Sequence, residues 1–481
     1  MRILLASTVH NCLSQSVQLE LAALGHELAV TVVTNEKSIV GAVDQFRPEL
    51  IIAPMLKSRI PESVWSQYPC LIVHPGIKGD RGPSSLDWAI TEGESRWGVT
   101  LLQANQDMDA GDIWASQEFP LRQAASKASI YRHEVTRAAL ACIRQAVDAV
   151  ERGQLRAEPL DYQRPDVLGR LRPVMRQADR SIDWSASTDR VLARLQAADS
   201  QPGVFERING AGVYLFGPVR GPQVNAAPGS WLACRDGALC RATGDGSVWI
   251  RQARVLPPHG HGIKLPAGDA LADVLDLSPV ADFAKPVPGD DWREISYHES
   301  DGVGYLNFDF YNGAMSTSQC RRLTRAFKRA TRRDARVLVL SGGLDFWSNG
   351  IHLNNIEAAE LPGAESWANI NAIDDLVQEI IGQTDRIVIS AIHGNAGAGG
   401  VTMALAADDV WVRRGAVLNP HYRGMGELFG SEYWTYLMPR RVGDEVALSL
   451  WSDCQPIDTA AALATGLIDR SKASVLACTP V

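Results

Sequence analysis

Short apolar runs recur along the first hundred positions, each bounded by turn formers. Residues 2–6, 27–33 and 49–53 are predominantly apolar or β-branched and read as strands; a helix is predicted over 14–24, stopped by Gly25, and another over 36–46. Alternation of strand and helix predicts a doubly wound α/β sheet, Rossmann-like in shape. A further run, Leu71-Ile72-Val73, ends at His74-Pro75-Gly76, because proline cannot continue a central ladder and glycine permits a positive φ. A strand over 98–103 follows. Residues 129–152 place Val135, Ala139, Cys142, Ala146 and Val150 on one helical stripe, which closes a first domain over 1–158.

From about residue 160 the period shortens. A helix near 188–197 precedes alternating strands over 212–216, 230–234 and 247–253 separated by Gly turns, a second, all-β region over 159–275. Residues 277–292 carry three Pro and no helical period and read as a linker, placed at 276–292. A second α/β unit, 293–481, has buried-looking strands over 336–340 and 386–392. Each ends in a Gly-rich turn, over 342–350 and 394–400, that enters a helix.

Length and composition narrow the possibilities. A chain of 481 residues exceeds one typical domain, and 46% apolar with 21% charged residues is ordinary for a globular protein. The net charge of −8 argues against nucleic acid as a partner. The eight Cys are scattered with no CxxC, so neither a metal site nor a disulfide framework is expected and a reducing cytoplasm fits. No apolar run reaches the length of a membrane span, and the N-terminal run is short and interrupted by polar residues, so neither membrane spanning nor secretion is expected.

His74 falls at the carboxyl end of a predicted strand, the edge where open α/β sheets bind ligands. The strand over 98–103 feeds a turn holding Asp107, Asp109, Gly111 and Asp112. A His and an Asp brought together there suit proton handling in acyl transfer. The same residues also fit a plainer role, a His that caps a turn and Asps that form one. In the second unit, Gly-rich turns let backbone N–H groups face a ligand oxygen and can build an oxyanion hole; close packing of strand on helix is the alternative. The first turn of the chain has no GxGxxG, so no dinucleotide signature is present.

Residues 46–50 (FRPEL), Arg59-Ile60-Pro61, His74, Arg81-Gly82, Trp88-Ala89-Ile90, Gly98-Val99-Thr100 and residues 108–112 (MDAGD) together resemble the formyltetrahydrofolate-dependent formyltransferases. The resemblance implies a catalytic His74 and Asp109, with Arg81, Gly82 and Asp112 as expected cofactor-binding positions and Asp112 as the alternative carboxylate. It also implies 10-formyltetrahydrofolate as the cofactor and a small open barrel, OB-like, for the second region. The Asn of that family's Asn-x-His is Ile72 here, which bears against an ordinary amine acceptor.

The turns over 342–350 and 394–400, with residues 404–410 (ALAADDV) and 460–468 (AAALATGLI), resemble the crotonase (enoyl-CoA hydratase/isomerase) fold over roughly 295–470. That resemblance implies the N–H groups of Asn349 and Gly399 as oxyanion donors to a coenzyme A thioester, with the two hydratase glutamates replaced by Thr402 and His421. The crotonases' C-terminal helices are expected to be short or missing after Ile468.

The fusion, with residues 419–426 (NPHYRGMG) and 430–436 (GSEYWTY), is similar to the HypX (HoxX) family of nickel-iron hydrogenase maturation proteins. The resemblance implies synthesis of carbon monoxide by formyl transfer to coenzyme A and decarbonylation of formyl-CoA, with tetrahydrofolate, coenzyme A and hydrogenase maturation proteins or the hydrogenase large subunit as partners. A thiol needs less base assistance than a protonated amine, which fits the loss of the Asn at Ile72. Glu432 stands in an apolar, aromatic run where burial raises a carboxyl pKa, and the Tyr422 hydroxyl can donate and accept, so these two are the expected proton-handling pair. Two rival readings stay open: a degenerate scaffold that senses folate or coenzyme A, and an acyl-CoA or formyl-CoA hydrolase.

Overall fold

The computed structural model describes residues 1–154, 157–277, 281–282 and 292–475. Contacts divide the chain into two compact units: Met1–Cys234 with Ala238–Gly260 and Ala270–Asp290, and Arg235–Gly237 with His261–Asp269 and Asp291–Val481. Most of the predicted linker, at 278–280 and 283–291, lies outside the described residues.

The first unit opens with a six-stranded sheet in the order Glu27–Val32, Arg2–Ser7, Leu50–Met55, Cys70–His74, Arg96–Gln103, Ile113–Pro120. Both faces are covered, so alternate side chains of one strand enter different cores: Ile3 and Leu5 meet Leu13 and Val17 of the helix Cys12–Ala23, while Leu4 and Ala6 meet Ile39 and Val43 of the helix Glu36–Phe46. The first four strands are parallel, as the alternation predicts, but the fifth runs antiparallel to Cys70–His74 and the sixth antiparallel to the fifth. The connection explains the reversal. After His74 the helix Ser85–Glu92 has only 8 residues and stops at Gly93 in the left-handed region. A helix of that length spans roughly 12 Å, too little to return the chain to the far edge of the sheet. The next strand therefore re-enters from the carboxyl edge, pairing His74 with Thr100.

The predicted helix over 129–152 is Lys127–Ile130, a π-helical turn Tyr131–Val135, and Thr136–Glu151. The all-β region of this unit is an antiparallel sheet of Trp231–Arg235, Ala238–Ala242, Ser247–Val255, Ala211–Arg220 and Val204–Ile208, with the helix Thr188–Ala198 against it. The Arg241 guanidinium lies between the rings of Trp184 and Trp231, 4.0 and 4.6 Å from their centroids, and is neutralised by Glu206 at 2.7 Å.

The second unit has a six-stranded sheet, Ile295–Ser300, Val303–Phe308, Val337–Ser341, Ile387–Ile392, Asp409–Arg413 and Arg470–Lys472. Its first pair is a hairpin closed by Asp301-Gly302, both at positive φ (52° and 77°), and the other pairings are parallel. That turn twists in the sense the strands need. The helices Thr317–Ala330 and Pro362–Ile381 pack on each other and bury Leu323, Phe327, Ile373 and Val377 in the core.

Two candidate active sites

In the first unit, His74 ends its strand and is buried. Its Nε2 lies 3.0 Å from Asp80 Oδ2, and its Nδ1 lies 3.5 Å from Asp109 Oδ2. Asp109 sits in the left-handed region (φ 52°), which Asp tolerates, and its Oδ2 accepts the Gly82 N–H at 3.2 Å. The turn before it is held from outside, because Arg81 donates to Met108 O through Nε and Nη2 at 3.2 and 3.1 Å. Gly111 permits this tight return: a Cβ there would collide with the Gln103 carbonyl. The structure thus brings His74, Asp109, Arg81 and Gly82 together. Asp112 is exposed, and its carboxylate has no hydrogen bond or ion pair among the described residues.

Two residues here are absent from the sequence-derived set. Asp80, buried in the turn that follows His74, also accepts Arg172 Nε at 2.9 Å; Arg172 is buried too, donates to Glu92 at 2.6 Å and lies 5.2 Å over the Trp97 ring. Asp80 stands in the same turn as His74, which is a usable signal. Arg172 has none, since only pairing of its backbone with Arg81 brings it near (Arg172 N to Arg81 O, 2.9 Å).

In the second unit, the two Gly-rich turns lock together. Gly397 N donates to Ser348 O at 2.9 Å and the Trp347 indole to Gly400 O at 2.9 Å. Gly399 begins the helix Gly399–Leu405, so its N–H is one of the groups a helix leaves without an internal partner. The Asn349 N–H, expected as the other oxyanion donor, is directed elsewhere: it donates to Gly313 O at 2.7 Å, and the Asn349 side chain donates to Asn312 O at 2.7 Å. The Ile351 N–H, two residues on, has no acceptor among the described residues. Its neighbour Gly350 approaches the Gly399 nitrogen so closely that a Cβ would stand 3.2 Å away.

Against Gly399 lies the Glu432 carboxylate, so close that a Cβ on Gly399 would collide with it. Glu432 and Tyr433 both adopt left-handed backbone conformations (φ 53° and 57°), uncommon for such side chains and found where geometry serves a site. The Glu432 N–H donates to Asp374 Oδ1 at 2.7 Å. The Tyr422 hydroxyl donates to Glu432 Oε2 at 2.8 Å and lies 3.0 Å from Thr402 Oγ1; Gly430 leaves room for the Tyr422 ring. Burial, with the Asp374 carboxylate adding to it, pushes the Glu432 carboxyl up to about 7 despite the Tyr422 hydrogen bond. Burial and then the Glu432 charge push the Tyr422 phenol well above its usual range. At the other hydratase position, burial lowers the His421 pKa, and its Nδ1 has no partner among the described residues. The pair predicted from sequence is therefore one connected, buried arrangement beside a free backbone N–H.

These features define a formyltransferase module followed by a crotonase-like module. Residues 19–145 match the formyl transferase family, 174–257 the formyl transferase C-terminal domain, and 299–475 the enoyl-CoA hydratase/isomerase family. The hydrogenase maturation factor HoxX of Bradyrhizobium diazoefficiens is 47% identical over 471 residues, covering 98% of this chain and 81% of the relative. A crystal structure of HypX from Aquifex aeolicus in complex with tetrahydrofolic acid superposes with a TM-score of 0.93 at 44% identity, over 98% of this chain and 82% of that one. Methionyl-tRNA formyltransferase of Citrifermentans bemidjiense matches only the first part, at 27% identity over 229 residues, 47% of this chain and 69% of that one. The chain belongs to the HypX/HoxX family of hydrogenase maturation factors. Among the described residues no helix is long and apolar enough to cross a membrane, and no group of three or more His, Cys, Asp or Glu is arranged to hold a metal.

Proposed function

We propose that this chain makes carbon monoxide for nickel-iron hydrogenase maturation in two half-reactions. In the first unit, the formyl group of 10-formyltetrahydrofolate passes to the thiol of coenzyme A at His74 and Asp109, with Arg81 and Gly82 holding the Asp109 turn. In the second, formyl-CoA is split into carbon monoxide and the free thiol. Tetrahydrofolate and coenzyme A are then its small-molecule partners, and hydrogenase maturation proteins or the hydrogenase large subunit are the recipients.

The single observation that carries the reading is Glu432, buried against Gly399 and bonded to Tyr422 at 2.8 Å. Decarbonylation requires a group that removes the formyl hydrogen as a proton, a group that protonates sulfur, and donors for the carbonyl oxygen. The electron pair of the C–H bond becomes the lone pair on carbon, and the C–S pair leaves with sulfur. A carboxyl poised near neutrality suits the first task. Tyr422 relays the proton, and the N–H groups of Gly399 and Ile351 face the oxygen. Ile351 takes the place first expected of Asn349. Hydration of a double bond, which needs two carboxylates at 402 and 421, is disfavoured by Thr402 and His421.

The test is headspace gas from purified protein given 10-formyltetrahydrofolate and coenzyme A. Carbon monoxide with release of tetrahydrofolate is expected. Formate in its place would mean a hydrolase, and neither product a binding scaffold, which the replacements at Ile72, Thr402 and His421 otherwise favour.

A further inference from the structure

Both nitrogens of the buried His74 ring face a carboxylate, Asp80 on one side and Asp109 on the other. The two contacts differ. Asp80 is enclosed, its Oδ1 held by Arg172 Nε at 2.9 Å and its Oδ2 3.0 Å from His74 Nε2. Asp109 is partly open, its Oδ2 held by the Gly82 N–H at 3.2 Å and 3.5 Å from His74 Nδ1, beyond the usual hydrogen-bond range. Gly76 closes the Asp80 side: a Cβ there would meet both His74 Nε2 and Asp80 Oδ2.

We propose that Asp80 and Arg172 are positioning residues of the formyl-transfer centre: Asp80 holds the proton of His74 on Nε2, which makes Nδ1, facing Asp109, the edge that moves a proton. The proposal rests on the transfer reading above. An ionised carboxylate only accepts hydrogen bonds, so a ring nitrogen bonded to the Arg172-paired Asp80 must be the donor. In the neutral ring Nδ1 then carries a lone pair, and it faces a second acceptor. Two acceptors at 3.5 Å are joined by nothing until a proton arrives between them.

Transfer supplies that proton. The thiol S–H bond breaks as C–S forms, the proton enters the Nδ1–Asp109 edge, and the same edge returns it to the folate nitrogen as the C–N bond breaks. Charge balances without an oxidant or reductant. The Arg172 guanidinium neutralises Asp80, so the holding carboxylate does not draw the arriving proton to itself. Because Arg172 and Arg81 pair through their backbones, residues beyond the first predicted domain complete the centre.

Nitrogen NMR of histidine-labelled full-length protein, with His74 assigned by comparison with His74→Gln, reads the tautomer directly at pH 8. Protonated Nε2 and bare Nδ1 are expected; a bare Nε2 would overturn the proposal. Asp80→Asn should lower kcat for tetrahydrofolate release about 10²–10⁴-fold while KM for 10-formyltetrahydrofolate stays within about twofold. Removing one partner of a buried pair destabilises, so the double variant Asp80→Asn/Arg172→Met serves as the control. It should recover thermal stability without recovering kcat, and recovery of both would reduce the pair to a structural ion pair and sink the idea. If the wild-type protein released no tetrahydrofolate at all, the transfer reading would fall, while the tautomer would still decide for or against Asp80.

Discussion

The two candidate sites set their titratable groups in opposite electrostatic surroundings. Around His74 the charges are partly compensated: Asp80 has Arg172, and the imidazole stands between two carboxylates, of which Asp109 is held by the Gly82 N–H. Around Glu432 the hydrogen-bonding groups are Tyr422, Ser431, backbone and, through Tyr422, Thr402; the nearby charge is the like-signed Asp374, and Glu432 forms no ion pair among the described residues. Compensation stabilises charged groups in a fixed arrangement, whereas burial without compensation brings a carboxyl to neutrality. The first setting suits a relay that starts and ends unchanged. The second suits a single strong base released from water.

The largest expected effect separates the two centres. Asp109→Asn should lower tetrahydrofolate release about 10²–10⁴-fold and leave gas release from synthetic formyl-CoA untouched, while Glu432→Gln should do the reverse. Loss of both activities in either variant would show that the centres are not independent. A smaller effect sharpens the contrast in charge. If the Glu432 carboxylate is the base, gas release from formyl-CoA should rise with pH and level off above about 7. Tyr422→Phe should lower the rate by roughly 10–10²-fold and shift that inflection, since the hydroxyl bonds the carboxylate. A flat profile between pH 5 and 9 would remove Glu432 from the rate-limiting step.

The smallest effect is thermodynamic. Glu432 has its folded pKa raised from 4.5 to about 7, so between these values the folded protein keeps a proton that the unfolded chain has lost. Stability contributed by this group is present below pH 4.5, falls as pH rises through the window and is constant above about 7. Glu432→Gln should therefore gain stability relative to wild type as pH rises, by about 3 kcal/mol at most, taking about 1.4 kcal/mol per unit. Denaturant midpoints at pH 5 and 8 check it, and equal differences at both would contradict the raised pKa.

Much of the fold is legible in the chain. The strands Glu27–Val32, Leu50–Met55 and Ile387–Ile392 fall within a residue or two of the predicted ranges, because each is a largely apolar or β-branched run between turn formers; Leu50–Met55 and most of Ile387–Ile392 are buried, whereas Glu27–Val32 is a half-exposed edge strand. Val204–Ile208 and Asp409–Arg413 are not among the predicted elements; they are short and carry charged residues. The helix Pro362–Ile381 is not either, although Ile373, Leu376, Val377 and Ile380 repeat at helical spacing. It matters to the site, since Asp374 on it holds the Glu432 N–H. The antiparallel fifth strand of the first sheet depends on how far an 8-residue helix can carry the chain.

The sequence by itself determined the order of modules and where the candidate groups lie: His74 and Asp109 at strand-end turns, Glu432 in an aromatic run, Gly399 at a helix start. These depend on local chain chemistry, which a window of neighbours encodes. Only the tertiary structure decided what surrounds them. It set Asp80 and Arg172 behind His74, turned the Asn349 N–H to Gly313 and, among the described residues, left the Ile351 N–H without an acceptor and Glu432 without an ion-pair partner. The physical reason is range: a turn or a cap is made by residues adjacent in the chain. The charge state of a buried group is set by every polar atom within a few ångströms, and in a packed interior those atoms come from anywhere in the chain.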